Sequence, residues 1–213
     1  MTKRNPIQTP GPAAIKRDKG HDFTLPASLY NDSIHFYVIA ENAQLNENKG
    51  LCETYSRAAL LTCFSFYESL INQAAFGHAE AHEVKIPAFE LDVLQEKETK
   101  LASNGKIQRV KKYFSAEARF KFICRFLSGK TFDCSGELWQ NFQSAQKLRN
   151  EWAHPKPPFN TCTLSLEDVQ KAIVTVRGVL VKLSDLMELE TPPWLPPFDS
   201  VANEMRKQIE ASQ

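Results

Sequence analysis

The sequence predicts an all-α fold, an up-and-down bundle of five to six helices behind a flexible N-terminal tail. Three observations carry that expectation. Eleven of the twelve prolines fall at positions 6–26, 155–158 and 192–197. Proline removes a backbone donor and clashes with the preceding turn, so the long intervals between these clusters are where helices can run. Glycine is scarce, at eight, and strict apolar–polar alternation is rare, which leaves the hairpins of an all-β protein few places to form. Apolar residues instead recur at steps of three and four, most regularly through Leu166, Val169, Ile173, Val176, Leu180, Leu183 and Met187, the pattern of a bundle seam.

Taken in order, residues 1–28 are polar, proline-bearing and locally basic, and are expected to form the tail. A first helix starts near Asp32 or Ser33, either of which can cap it, and ends near Gly50. The second, about 52–76, is the most apolar segment and belongs at the centre. Pro87 opens a third, weaker helix to about Asn104, with Gly105 as its stop signal. A fourth covers about 116–128. A fifth runs from about Ser135 to Ala153, its Leu138, Phe142, Ala145, Leu148 and Trp152 keeping to one face, and Pro155 ends it. The seam helix is the sixth. The division is therefore a tail at 1–28, a bundle at 29–190, and at 191–213 a proline-rich connector with a short terminal helix.

At 213 residues the chain suits one domain. Its net charge of +1 gives no overall pull toward nucleic acid or membrane. No uncharged run approaches the roughly 18 apolar residues a membrane-spanning helix needs, and the first residues lack the apolar stretch of a secretory signal, so a cytoplasmic location is expected. Cys52, Cys63, Cys124, Cys134 and Cys162 are odd in number and form no Cys-x-x-Cys pair, which argues against a disulfide framework or a zinc knuckle and for reduced, mostly buried thiols. Walker-type and dinucleotide-binding glycine loops are absent, so no nucleotide cofactor is expected.

Charge is segregated along the chain. Residues 40–98 hold ten acidic and four basic side chains, whereas 100–130 hold nine basic ones and only Glu117 on the acidic side. Such a run is either a solvated face or a phosphate-facing strip. In the second case Lys106, Arg109, Lys111, Lys112 and Arg119 would grip RNA, with Tyr113, Phe114 and Phe120 stacking on bases.

The segment LRNEWAHP, residues 148–155, is the most informative in the chain. Arg149 and Asn150 sit on the last turn of the fifth helix, and His154 lies where Pro155 forces the helix to finish. Arginine supplies a permanent cation whose planar fork suits a phosphate, and histidine exchanges a proton near neutral pH. Together they can bind and cleave a phosphodiester. The bland alternative is that Arg149 pairs with an acidic neighbour while His154 favours the helix C-terminus. On the second helix Ser65, Glu68 and Asn72 follow helical spacing along one stripe; Glu68, with Ser65 beside it, can hold Arg149 in place, or the stripe simply reaches solvent.

Arg149, Asn150 and His154 resemble the signature of the HEPN superfamily, in which an Arg, a polar residue that is often Asn, and a following His mark a ribonuclease site. The likeness extends to RAALLTCFSFYESLINQAAF at 57–76, similar to that family's early core helix, and to the long helix after the motif, so that it covers about residues 50–190. The resemblance implies a helical bundle, frequently a homodimer with a shared active-site cleft, that cleaves RNA without a metal or cofactor to a 2′,3′-cyclic phosphate. It also implies service in toxin or anti-phage defence, with an antitoxin or other regulatory protein as partner. Catalysis then falls to Arg149 and His154, with Asn150 in support. The acid and base would come from the His154 of two chains. In HEPN toxins paired with nucleotidyltransferase antitoxins a Tyr follows the His by two positions; here the order is His154, Pro155, Lys156, which puts that pairing in doubt. Two readings from other classes stay open: a non-catalytic helical module that binds RNA, a nucleotide or a protein, and a structural dimerisation domain.

His78 and His82, at i and i+4 with Glu80 and Glu83 nearby, could present two imidazoles to a metal. No further ligand stands at a recognised spacing, so the sequence favours an exposed polar helix end and no metal site.

Overall fold

The computed structural model describes residues 24–82, 85–154 and 164–211. Within them the chain forms α1 (Thr24–Leu45), α2 (Lys49–His82), α3 (Ala88–Leu94), β1 (Lys97–Leu101), β2 (Ile107–Lys111), α4 (Ala116–Ser128), α5 (Glu137–Ala153), α6 (Leu166–Leu186) and α7 (Phe198–Glu210). The architecture is a helical bundle, as the proline and glycine distribution predicts. None of the described helices is long and apolar enough to cross a membrane.

α1 and α2 form a tight helical hairpin. Its turn is closed by Glu47 in the left-handed region at φ 55° and by Asn48, whose side chain accepts from the Leu51 N–H at 3.1 Å and so satisfies one of the unpaired donors at the start of α2. α6 packs against α1, α2 and α5, and α2 also meets α5, α4 and α3. The apolar second helix therefore does lie at the centre. Ser115 and Ser165 cap α4 and α6, their hydroxyls accepting from the N–H of Ala118 and Asp168. α6 approaches α5 closely at Gly178, where a Cβ would stand 2.9 Å from Leu138 Cδ1.

What fixes α5, the helix that carries the motif, is an aromatic cluster. Trp139 and Phe142 of α5 stack with ring centroids 5.1 Å apart; Trp139 also stacks on Phe120 of α4 at 5.6 Å, and Phe142 meets Tyr67 of α2 at 5.0 Å and Phe64 at 6.1 Å. All five rings are buried. Each aromatic pair contributes about 0.5–1.5 kcal/mol beyond its area burial, so α5 is held against α2 and α4 along its first two turns. The last turn, with Arg149 and Asn150, follows from that anchor.

Two boundaries depart from expectation. α1 begins at Thr24, so residues 24–28 belong to a helix and not to the tail. Pro26 is its third residue, within the first turn, where a missing N–H goes unused. Asp32 and Ser33 are therefore internal to α1, and Ser33 Oγ donates to the Tyr30 carbonyl at 2.7 Å. Residues 1–23 lie outside the described residues. The third helix stops at Leu94, and the rest of the span expected to be helical is an antiparallel hairpin in which Lys97 pairs with Lys111 and Leu101 with Ile107. Gly105, at φ 77°, serves that hairpin's turn and not a helix stop. Its N–H donates to the Ala102 carbonyl at 2.9 Å, and the Asn104 side chain accepts from the Lys106 N–H at 3.1 Å. The terminal segment packs down onto the bundle. Tyr30 Oη and Arg177 donate to the Pro196 carbonyl, both at 2.8 Å, and Arg206 of α7 forks onto the two Glu41 oxygens of α1 at 2.7 and 3.0 Å.

Candidate functional site

The last turn of α5 brings together three of the expected residues. Arg149 Nη2 donates to Glu68 Oε1 of α2 at 2.9 Å, and its Nη1 donates to Asn150 Oδ1 at 3.0 Å. Its Nε is buried and has no partner among the described residues. Glu68 reaches Arg149 because Tyr67, its neighbour on α2, is locked into the aromatic cluster beside Phe142. The Arg149 and Glu68 side chains are 26% and 47% exposed, so the pair is open to solvent and to a ligand.

His154 is the residue at which α5 ends. It leaves helical geometry at φ −135° and ψ 66° while its N–H still donates to the Asn150 carbonyl at 3.0 Å. Its side chain is exposed and lines an open hollow of about 810 Å³. α4 contributes Glu117 to that hollow, and α5 contributes Gln143, Gln146, Lys147, Asn150 and Glu151. Asn150 thus belongs to both sides, accepting from Arg149 and facing the hollow. Arg149 itself turns toward α2. Pro155, expected to end the helix, and Lys156 lie outside the described residues.

Ser65 does not join the cluster: its hydroxyl donates to the Leu61 carbonyl of its own helix at 3.0 Å. Asn72, on the same stripe, serves a different arginine. Its Oδ1 accepts from Arg119 Nη1.

The basic strip is divided by the fold. Arg119 is buried, 6% exposed. Nη2 donates to the Leu94 carbonyl at 3.1 Å, Nη1 stands 3.5 Å from Glu96 Oε1, and the guanidinium lies over Phe76. Its expected place on an RNA-gripping surface is corrected, because a side chain committed to partners from α2 and the end of α3 has no fork left to offer a phosphate. Phe120 is likewise in the core and not a stacking platform. Lys106, Arg109, Lys111 and Lys112 are exposed on and beside the β1–β2 hairpin. Arg109 pairs with Asp92 at 2.6 Å and Lys112 with Glu98 at 3.4 Å, while Lys111 Nζ stands over the exposed Tyr113 ring at 4.6 Å.

Among the described residues no group of three His, Cys, Asp or Glu side chains converges as a metal site. His78 packs edge-on against Phe126, and the His82 side chain and Glu83 fall outside the described residues.

Sequence reasoning missed the lining of the hollow. Gln143, Lys147, Asn150 and His154 follow steps of three and four and could have been read as one face, but an unpartnered polar stripe looks the same as a solvated one. Glu117 carries no local signal, since it arrives from α4 only through tertiary packing. Both of its oxygens are engaged, one accepting from Lys121 at 2.5 Å and the other from Gln143 at 3.4 Å. The Lys121 bond above all holds its carboxyl below the ordinary value.

The fold and site define a helical bundle with a polar, cation-bearing cluster at one helix end. No family model matches the chain, and no curated protein or solved structure matches it.

Proposed function

We propose that this chain is a HEPN-type endoribonuclease that cleaves RNA without a metal ion. A ribose 2′-hydroxyl attacks the adjacent phosphorus, the bond to the 5′-oxygen breaks, and a 2′,3′-cyclic phosphate remains. The observation that supports it most is the meeting of Arg149, Asn150 and Glu68 at the last turn of α5, beside the hollow that Asn150 shares with His154.

The reaction needs positive charge against the developing oxyanions and proton transfer at both the entering and the leaving oxygen. Arg149 supplies the charge, oriented by Glu68 and Asn150. His154 transfers protons. The exposed hairpin cations Lys106, Arg109, Lys111 and Lys112 hold the RNA backbone, and a homodimer, a regulatory or antitoxin partner and a place in toxin or anti-phage defence belong to the same reading. The test is incubation of purified protein with single-stranded or loop RNA in EDTA. Cyclic ends should form, and His154→Ala should lower the rate by at least about 10²-fold with the fold intact. Activity abolished by EDTA and restored by a divalent ion, or an unimpaired His154→Ala, would sink the proposal.

The Arg149–Glu68 ion pair also supports a second reading, a non-catalytic module or dimerisation domain in which Arg149 is a structural cross-link. That reading expects RNA, nucleotide or protein binding, or none, and no cleavage in any variant.

A further inference from the structure

A second arginine stands beside the motif with no carboxylate to hold it. We infer that Arg57 of α2, carried on the Trp152 ring of α5, binds a phosphate of the RNA that flanks the one being cut. The inference takes its ligand from the ribonuclease reading above and deepens it, adding a backbone contact outside Arg149, Asn150 and His154.

Two contacts bridge the seam between α2 and α5. Arg149 reaches Glu68 at 2.9 Å, and the Arg57 guanidinium lies over the Trp152 ring, 5.4 Å from its centroid. Both pairs belong to the same pair of helix faces. Arg57 and Glu68 are eleven residues apart within α2, which returns them to nearly one face, about 16 Å apart along the axis. Arg149 and Trp152 are three apart within α5, again on one face. The second guanidinium therefore stands on the α2 side of the motif helix, nearer its end.

The two arginines differ in what remains free. Arg149 is oriented by Glu68 and Asn150, which take its two terminal nitrogens. Arg57 is exposed, and among the described residues no hydrogen bond or ion pair engages it, Glu53 one turn before it included. The ring takes only the face of the guanidinium. Its N–H donors lie in the plane, so the fork is left for two oxygens of a phosphate. Trp152 is itself half-buried against the core, so the cation rests on a fixed platform and less side-chain freedom is lost when a ligand arrives.

An RNA strand can follow these groups across the end of α5. On the α4 side it meets the hollow with His154 and Asn150, then Arg149, and on the α2 side Arg57. Arg57 touches no reacting atom and moves no proton. Proton transfer, and the cleft shared by two chains, stay as the ribonuclease reading has them.

The experiment measures binding by fluorescence anisotropy across a range of salt, for wild type, Arg57→Gln and Arg57→Lys. The probe is a single-stranded RNA whose 2′-hydroxyls are methylated, so that it binds without being cut; cleavage of unmodified RNA in EDTA is followed beside it. Arg57→Gln should bind about tenfold more weakly and its log–log salt slope should fall by about 0.7, with KM raised more than kcat is lowered. Arg57→Lys keeps the charge and should recover the slope but not the full affinity, because an ammonium has no planar fork. Thermal melting reads the loss of the Trp152 contact separately. An Arg57→Gln protein with wild-type affinity and slope, or one changed only in its melting midpoint, overturns this inference and leaves the ribonuclease reading standing if wild type cleaves. A wild type that binds RNA and never cuts it, with the slope reduced in Arg57→Gln, upholds the contact and sinks the ribonuclease reading. A wild type that neither binds nor cleaves RNA overturns both.

Discussion

Replacing Arg119 by methionine should weaken the fold, not RNA binding. Arg119 is 6% exposed and its guanidinium joins three partners: Asn72 of α2, the Leu94 carbonyl at the end of α3, and Glu96 just beyond it. Burial pulls its pKa down, opposed by Glu96 and Tyr67. Breaking a buried charged pair by removing one partner costs about 3–5 kcal/mol, because the other is left unpaired. Two features reduce that figure here. The Glu96 side chain is 20% exposed, so water can reach it, and methionine keeps apolar contact with Phe76, over which the guanidinium lies. The buried Leu94 carbonyl and Asn72 amide still lose their donor, at about 1–3 kcal/mol for such a group. The expected loss is therefore about 2–4 kcal/mol, a large share of the 5–15 kcal/mol typical of a domain. At roughly 2–4 °C per kcal/mol for a chain of this size, the melting temperature should fall by about 5–15 °C. Urea unfolding followed by circular dichroism reads the change as a lower midpoint at unchanged slope. A loss under about 0.5 kcal/mol, together with a changed salt dependence of RNA binding, would refute the reasoning and return Arg119 to the surface.

The remaining expectations concern the site, acid stability and the thiols. Glu68→Gln removes an ion pair that is a quarter to half exposed, so stability should change by no more than about 1 kcal/mol, while RNA cleavage should fall because Arg149 loses its anchor; calorimetry beside a cleavage assay separates the two. Burial pushes the Asp92 carboxyl up, but bonds from Arg109 and Thr99 outweigh it and hold it below its ordinary 3.8; Glu117 is held below its ordinary 4.5, chiefly by Lys121. With the folded-state pKa depressed, their stabilisation is present above those ordinary values and lost as pH falls through the folded ones, so Asp92→Asn should flatten the acid limb of a stability profile. Burial raises the Cys63 thiol and pushes Cys124 up to about 12, the latter with help from Cys134. A thiol reagent should therefore label half-buried Cys52 and Cys134 in the native protein and reach Cys63 and Cys124 only on unfolding.

The helices were legible where burial alone decides them. α5 and α6 match their apolar stripes to within two residues because a stripe at steps of three and four has one way to face a core. The hairpin was not, and its composition explains why. β1 and β2 read Lys97-Glu-Thr-Lys-Leu and Ile107-Gln-Arg-Val-Lys, with Glu98 and Val110 the only half-buried positions, so no alternation of burial is written into them. Cross-strand bonding and the bonds of Thr99 and Arg109 to Asp92 supply what an apolar face would have supplied. The Asn104-Gly105 turn signal stood in the sequence, but a glycine after a weak helical pattern has the same appearance as a helix stop.

The site divides in the same way. Arg149, Asn150 and Glu68 were visible because two short-range patterns, a helix end and a polar stripe on an apolar helix, each demand a partner. The hollow was not, because its far wall, Glu117, depends on where α4 lands. On an unbroken helix, five residues would set Arg149 and His154 roughly 140° apart, at 100° per residue. Arg149 accordingly faces α2 and meets Glu68, whereas His154 faces the hollow beside α4. What joins the two directions is Asn150. It takes a hydrogen bond from Arg149 on one side and lines the hollow one turn before His154 on the other. A ligand phosphate at the end of α5 would therefore approach the arginine across the asparagine. On the proposed ribonuclease reading, the polar residue following the arginine would then link charge to proton transfer, and would not be merely a filler in the spacing.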